Sequence, residues 1–99
     1  MKDVELLEVA EKELDEAIEY YNKEQPEVRD EFLLEFLRTL DRIREFPQSA
    51  EPFTETTRRA LTRRFPYGII YENREEHVEV MAIAHLHRDP AQWEDRLDE

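Results

Sequence analysis

The first half of the chain repeats its apolar residues with the period of an α-helix. A narrow stripe, set against a face of carboxylates, consists of Ala10, Leu14, Ala17, Ile18 and Tyr21. A wider stripe follows and consists of Val28, Phe32, Leu33, Phe36, Leu37, Leu40 and Ile43. Pro26 suits the first turn of the second helix, and Pro47 cannot continue it. The pattern predicts a helical hairpin that supplies one layer of the core.

The period changes to two in the second half, which predicts β-strands. Apolar and polar residues alternate over 60–65, over 67–72 after a break at Pro66, and again over 78–85. The segment "NREEH" between the last two runs predicts a turn, so we expect these two strands to pair antiparallel. The segment "VELLEVA" ahead of the helices predicts a further short strand, and the Pro-, Ser- and Thr-rich residues 47–57 predict a loop.

The end of the chain predicts a short closing helix. Asp89 and Pro90 suit the helix N-cap and the first helical position, and Trp93 and Leu97 lie four apart on one face. Together the elements predict a single α+β domain over residues 1–99. In it an N-terminal strand and the helical hairpin pack on one face of a mainly antiparallel sheet, in two layers. No second pair of helices remains for the opposite face, so we expect that face to be an incompletely covered partner surface.

Charge narrows the classes of partner. The chain has 14 Lys and Arg against 26 Asp and Glu, a net charge of −12, and residues 1–57 carry 7 of the former against 17 of the latter. Such a field repels nucleic acid and anionic membranes, so we expect no direct DNA binding and no membrane association. Residues 58–71 are an exception to this acidity, because they contain four arginines and no carboxylate. With no Cys and no long apolar run, a cytoplasmic location is expected.

Two adjacent arginines in this basic stretch would point to opposite faces of a strand. On that reasoning only one of Arg63 and Arg64 can join a given site, and we favour Arg64 because it shares its face with Thr62. Tyr67 and Tyr71 share a face with an isoleucine, which indicates core positions. The alternative for both tyrosines is a buried ring with an exposed hydroxyl.

Histidines near the end of the last predicted strand raise the question of a metal site. His85 and His87 lie two apart, but His77 precedes His85 by eight residues, roughly 26 Å along an extended strand. No Cys is present and no fourth ligand is evident, so we predict neither a metal site nor a cofactor.

Three stretches carry a resemblance to a known family: "EFPQS" at the end of the second helix, "RRFPYGIIYE" in the central hairpin, and "VMAIAHLHRDPAQW" near the end. In this order and helical context they resemble the RelE/ParE superfamily of toxins from type II toxin–antitoxin systems. The resemblance spans almost the whole chain. It implies a compact toxin that arrests growth, and a cognate antitoxin whose extended tail wraps the sheet and helices in a hetero-oligomer.

The branches of this superfamily differ in their targets. RelE-like members cleave messenger RNA on the ribosome, which requires a base or proton relay and several convergent cations. Gly68 stands where that branch usually has an arginine, and Trp93 stands where it often has a tyrosine, although indole cannot relay a proton. If this chain were such a nuclease, its catalytic residues would be Arg64, His85 and Arg88.

ParE-like members inhibit DNA gyrase and need no catalytic residues, and the "AHLHRDP" ending resembles that branch more closely. The resemblance therefore implies a non-catalytic toxin of the plasmid-stabilisation type, with the ribonuclease and an inactive diverged member as alternatives. We expect contacts with the target or the antitoxin at Arg59, Arg63, Arg64, Tyr67, Tyr71, His85, His87, Arg88 and Trp93. Because this chain is itself acidic, we expect its antitoxin to be less acidic than usual, or basic.

Overall fold

The computed structural model describes residues 2–86, which form two α-helices and five β-strands. The elements follow in the order β1 (Asp3–Leu6), α1 (Glu8–Glu24), α2 (Pro26–Glu45), β2 (Glu51–Pro52), β3 (Arg58–Leu61), β4 (Tyr67–Asn73) and β5 (His77–His85). The strands form one sheet in the order β1-β5-β4-β3-β2, in which only β1 and β5 run parallel. The predicted α+β architecture is confirmed, and the predicted closing helix lies outside the described residues.

Local signals explain where the helices begin. Glu8 and Glu11 occupy the first turn of α1, where their carboxylates face the positive end of the helix dipole. Pro26 occupies the start of α2, where its missing N–H costs no hydrogen bond. Gln25 alone separates the helices, and its N–H donates to the carbonyl of Tyr21 at 2.8 Å. The chain therefore turns tightly, and the two helices pack side by side.

Most residues of the two helical stripes pack on one face of the sheet, whereas Leu37 is 56% exposed. The buried core on this face consists of Ala10, Ala17, Tyr21, Phe32, Phe36, Ile43, Phe65, Tyr67, Ile69, Tyr71, Val78, Val80 and Ile83. Ring centroids lie 5.0 Å apart for Tyr21 and Phe32 and 5.2 Å apart for Phe32 and Tyr67. These aromatic contacts join the helical hairpin to the first residue of β4.

The opposite face of the sheet is less open than the sequence predicts. Ile70 and Ala82 are fully buried there and Ala84 nearly so, with Phe53 and Met81 packed against them. The expectation of an incompletely covered face therefore does not hold at the centre of this face, which is buried. The physical reason is that the segment predicted as a loop contains β2, which is followed at once by Phe53.

Candidate binding surface

The two arginines of β3 lie on opposite faces of the sheet. Arg58 is paired with Tyr71 on β4, and Arg59 is paired with Ile70. Since Tyr71 belongs to the core under the helices, Arg58 lies on the helix side, where its Nη1 donates to the carbonyl of Ala50 at 2.7 Å. Arg59 shares the other face with Ile70. Of the two, Arg59 is therefore the one that borders the face away from the helices.

The side chain of Arg59 packs over Gly68 on the neighbouring strand. A Cβ atom at Gly68 would lie 3.1 Å from Cγ and 3.2 Å from Cδ of Arg59, so the alkyl chain crosses β4 at a residue without a side chain. The guanidinium carbon then lies 5.6 Å from the centre of the Phe53 ring, and Nη2 lies 3.8 Å from Glu51 Oε2. Arg59 is 34% exposed and Glu51 far more so. Such a loose pair leaves the guanidinium free to form a bidentate pair with a partner carboxylate.

A groove of about 290 Å³ opens beside Arg59, between α2 and β3. We call it the β3 groove. It is lined by Arg42, Ile43, Ser49, Ala50, Glu51, Arg59, Ala60, Leu61 and Tyr71. β2 pairs only with Arg58 and Arg59, so in the described sheet the outer edge of β3 is uncovered from Ala60 onward. The groove therefore combines an open strand edge with a partly exposed leucine, Leu61.

Arg42 is the second cation of the β3 groove. Its Nη2 donates to the carbonyl of Leu61 at 3.1 Å and to Thr39 Oγ1 at 3.3 Å, and it forms no ion pair with a carboxylate of residues 2–86. Arg42 lies on the helix side of β3 and the Arg59 guanidinium lies on the other face, so two cations flank this strand in a protein of net charge −12. Sequence reasoning missed Arg42, because one arginine among the many charges of α2 gives no signal until packing places it beside β3.

Arg63 and Arg64 lie in the loop between β3 and β4 and not on a strand. The predicted strand over 60–65 is therefore wrong beyond Leu61, and so is the inference that these two arginines point to opposite sheet faces. Thr62 closes the loop, because its N–H and its hydroxyl both donate to the carbonyl of Tyr67, each at 3.0 Å.

The same loop holds Arg64 in an unusual conformation. Its φ is 71°, in the left-handed region that L residues seldom adopt. Nη2 of Arg64 lies 3.0 Å from Glu31 Oε2 on α2, and both side chains are more than half exposed. A solvent-exposed ion pair of this kind contributes little to stability and restrains the two side chains only weakly. Arg63 is exposed and has no hydrogen bond or ion pair with any residue of the described part. The loop therefore presents two solvated guanidiniums.

Tyr67 and Tyr71 are core residues, as their spacing indicates. Tyr71 is fully buried, and its hydroxyl donates to the carbonyl of Pro47 at 2.7 Å. The alternative of an exposed hydroxyl is therefore wrong for Tyr71. Burial raises the pKa of this phenol, an effect that the nearby Arg58 guanidinium and a hydrogen bond with the backbone of Ala50 partly offset. Tyr67 is 6% exposed, so neither ring offers much surface to a partner.

His85 lies on the helix side of the sheet. It is paired with Tyr67 in the register of β4 and β5, and the two ring centroids are 5.1 Å apart. A small cavity beside it is also lined by Glu13 and Glu16 of α1. Arg59 lies on the other side of the sheet. His85 and Arg59 therefore belong to different surfaces, although both were predicted to contact a partner.

Part of the predicted site cannot be placed. The residues concerned, His87, Arg88 and Trp93, lie outside the described residues, so their roles and the ribonuclease set that includes Arg88 stay predictions. Over residues 2–86 no group of three or more His, Cys, Asp or Glu side chains is arranged to hold a metal ion. Neither α1 nor α2 has the length and apolar character that crossing a bilayer requires.

Comparisons with known proteins agree with this architecture. Residues 4–90 match the family model described as the ParE toxin of the type II toxin–antitoxin system, parDE. A solved chain from the chromosomal ParDE toxin–antitoxin system of P. aeruginosa superposes with a TM-score of 0.75 at 14% identity, covering 88% of this chain and 98% of that chain. At that identity the likeness concerns the fold alone. No curated protein sequence matches this chain significantly.

Proposed function

This chain belongs to the ParE toxin family of type II toxin–antitoxin systems, and on that premise we propose that it arrests growth by binding DNA gyrase, without catalysing a reaction. It acts in the cytoplasm. A cognate antitoxin neutralises it by covering the surface that the target needs, and the two proteins form a hetero-oligomer.

The observation that supports this proposal is the concentration of guanidinium groups on the β3 side of the molecule. Arg42 and Arg59 line the β3 groove, and Arg63 and Arg64 lie in the loop that follows β3. Guanidiniums form bidentate pairs with carboxylates at protein interfaces. A local basic surface on a chain of net charge −12 suits a protein target, because the rest of the chain repels a polyanion such as ribosomal RNA.

A ribonuclease is the second candidate, and one observation favours it. The Arg59 side chain crosses the backbone at Gly68, so it brings a cation to the position where RNA-cleaving relatives usually have an arginine. Cleavage also needs a base near the same phosphodiester. Of the two histidines in residues 2–86, the one nearer to Gly68 is His85, and it lies on the helix side of the sheet while Arg59 lies on the other, so these two groups do not converge on one phosphodiester.

Expression of the chain alone and together with its neighbouring antitoxin gene tests the module. We expect growth to stop with the toxin alone and to resume with the antitoxin. Purified toxin should then block DNA supercoiling by gyrase, and primer extension on cellular messages should show no new ends. New message ends with unchanged supercoiling would establish the ribonuclease instead, and unaffected growth would indicate an inactive member.

A matched pair of variants tests whether the basic surface is used. Arg59→Ala removes the guanidinium that lies beside Phe53 on the face away from the helices, and Arg29→Ala removes one from α2 that contacts Asn22 and Asp30. Both variants change the net charge equally, so a general charge effect would appear in both. We expect gyrase inhibition to weaken about tenfold or more with Arg59→Ala only, the loss typical of a buried interfacial contact. Equal inhibition by the two variants would exclude a target contact through Arg59.

A further inference from the structure

The last strand, β5, is longer than the strand beside it. β1 is paired with β5 only over His77 to Val80, and just beyond this pairing the Leu7 N–H donates to the carbonyl of Val80 at 3.0 Å. β5 continues to His85. Within the described sheet, its outer edge therefore has no neighbouring strand from Met81 onward. Backbone groups on a buried edge of this kind need other hydrogen-bond partners.

A bulge in β5 determines which backbone groups face the open edge. Val80 and Ala82 are paired with consecutive residues of β4, so Met81 is an extra residue in the strand. Successive residues of a strand point their backbone groups to alternate edges. The Val80 carbonyl faces β1, and in a regular strand Ile83 would face β4. The extra residue reverses this order, so the N–H of Ile83 faces the open edge.

Glu13 of α1 takes the place of the missing strand. The Ile83 N–H donates to Oε1 of Glu13 at 3.1 Å, although the two residues are 70 positions apart. Ala10 and Ala17 lie on the same face of α1, about one turn to either side of Glu13, and both are buried. Small side chains at these positions let α1 lie close to the sheet, so the carboxylate reaches the strand backbone. It accepts the bond that a strand carbonyl would otherwise accept.

The end of β5 is held from both sides. His85 follows Ile83 on the same edge, and its ring lines the same small cavity as Glu13. At the inner edge the Leu86 N–H donates to the carbonyl of Pro66 at 2.8 Å. The β3–β4 loop therefore holds one side of the strand end, and α1 holds the other through a single side chain.

We propose that Glu13 is a positioning residue, which fixes the end of β5, and His85 with it, through the hydrogen bond to Ile83. An apolar residue at position 13 would continue the stripe of α1 but would leave the Ile83 N–H without an acceptor, and an unsatisfied buried N–H is costly. The inference rests on the proposed function only for what the end of β5 contacts, which is the target of the toxin.

Amide hydrogen exchange, followed residue by residue by NMR on the full chain, tests the hydrogen bond. Glu13→Ala should make the Ile83 amide exchange about tenfold faster or more, because its acceptor is lost, while the amides of β4 exchange as before. Glu16→Ala is the matched control. It removes the same charge from the same helix and the same cavity but leaves the acceptor of Ile83 in place, so Ile83 should exchange at its original rate.

Two conservative variants separate the position of the acceptor from its charge. Glu13→Gln removes the charge but keeps an oxygen at the same place, so it should retain the slow exchange of Ile83. Glu13→Asp keeps the charge but shortens the side chain by one methylene, so it should behave like the alanine variant. If Glu13→Ala does not fold, Glu13→Asp decides in its place.

The supercoiling assay with gyrase tests the positioning role. Glu13→Ala and Glu13→Asp should inhibit about fivefold more weakly, since a surface that must be ordered on binding loses affinity. Glu13→Gln and Glu16→Ala should inhibit like the unchanged chain. Equal Ile83 exchange in Glu13→Ala and Glu16→Ala, fast exchange in Glu13→Gln, or full inhibition by Glu13→Asp would each overturn the proposal. A failure of the proposed function has a different signature, in which the unchanged chain does not inhibit gyrase while the exchange pattern persists.

Discussion

Arg64→Gly separates the conformation of Arg64 from the role of its charge. A φ of 71° in a residue with a Cβ atom costs about 1 kcal/mol, and glycine releases that strain. Two effects oppose the gain. The exposed ion pair with Glu31 is worth about 0.5 kcal/mol, and the greater freedom of glycine in the unfolded chain costs about 0.5–1 kcal/mol. These values nearly cancel, so we expect the free energy of unfolding to change by less than about 1 kcal/mol.

Arg64→Ala is the matched control, because it loses the same ion pair but retains the strain. At an ordinary helix or strand position alanine is more stable than glycine by about 0.5–1 kcal/mol. At position 64 we expect the glycine variant to have a free energy of unfolding in denaturant equal to or greater than that of the alanine variant. A glycine variant less stable than the alanine variant by that ordinary margin would refute the left-handed conformation. Both variants should inhibit gyrase equally poorly, and full inhibition by Arg64→Gly would show that the Arg64 charge is not used.

Three further substitutions follow from single contacts. Tyr71→Phe removes the donor to Pro47 and should lower the free energy of unfolding by about 1 kcal/mol. Burial raises the pKa of Tyr71 above its ordinary value of 10.0, so the stability that the neutral phenol contributes is fully present below pH 10 and is lost as the pH rises further. The free energy of unfolding of Tyr71→Phe should therefore fall less at alkaline pH than that of the unchanged chain. An identical fall in both would contradict the assignment. Gly68→Ala adds a Cβ atom 3.1 Å from Arg59 Cγ and should displace the Arg59 side chain. Gyrase inhibition should therefore fall as it does in Arg59→Ala, while the melting temperature changes little. Glu35→Leu replaces a carboxylate whose Oε2 is buried without a hydrogen-bond partner in the described part of the chain. Thermal unfolding should therefore show equal or greater stability of the variant. A decrease in the free energy of unfolding above about 1 kcal/mol would argue that Oε2 has a partner.

The helical layer and the core could be predicted because their signal is local. The apolar stripe of α2 repeats over about four turns, and Phe32, Phe36 and Ile43 from it are buried as expected. The hairpin of β4 and β5 was predicted for the same reason, since alternation and a polar turn are both visible in a short window. The spacing of Tyr67 and Tyr71 indicated core positions, and both are buried, although both were also expected to contact a partner.

The parts that could not be predicted depend on contacts distant in sequence. The alternation over 60–65 continues past the real end of β3, and only the hydrogen bonds from Thr62 to Tyr67 reveal the loop. β2 is two residues long, too short for any periodic signal. Arg42 joins Arg59 through the packing of α2 on the sheet. The arginines near β3 could therefore be named from the sequence, whereas the shape of the surface around them could not.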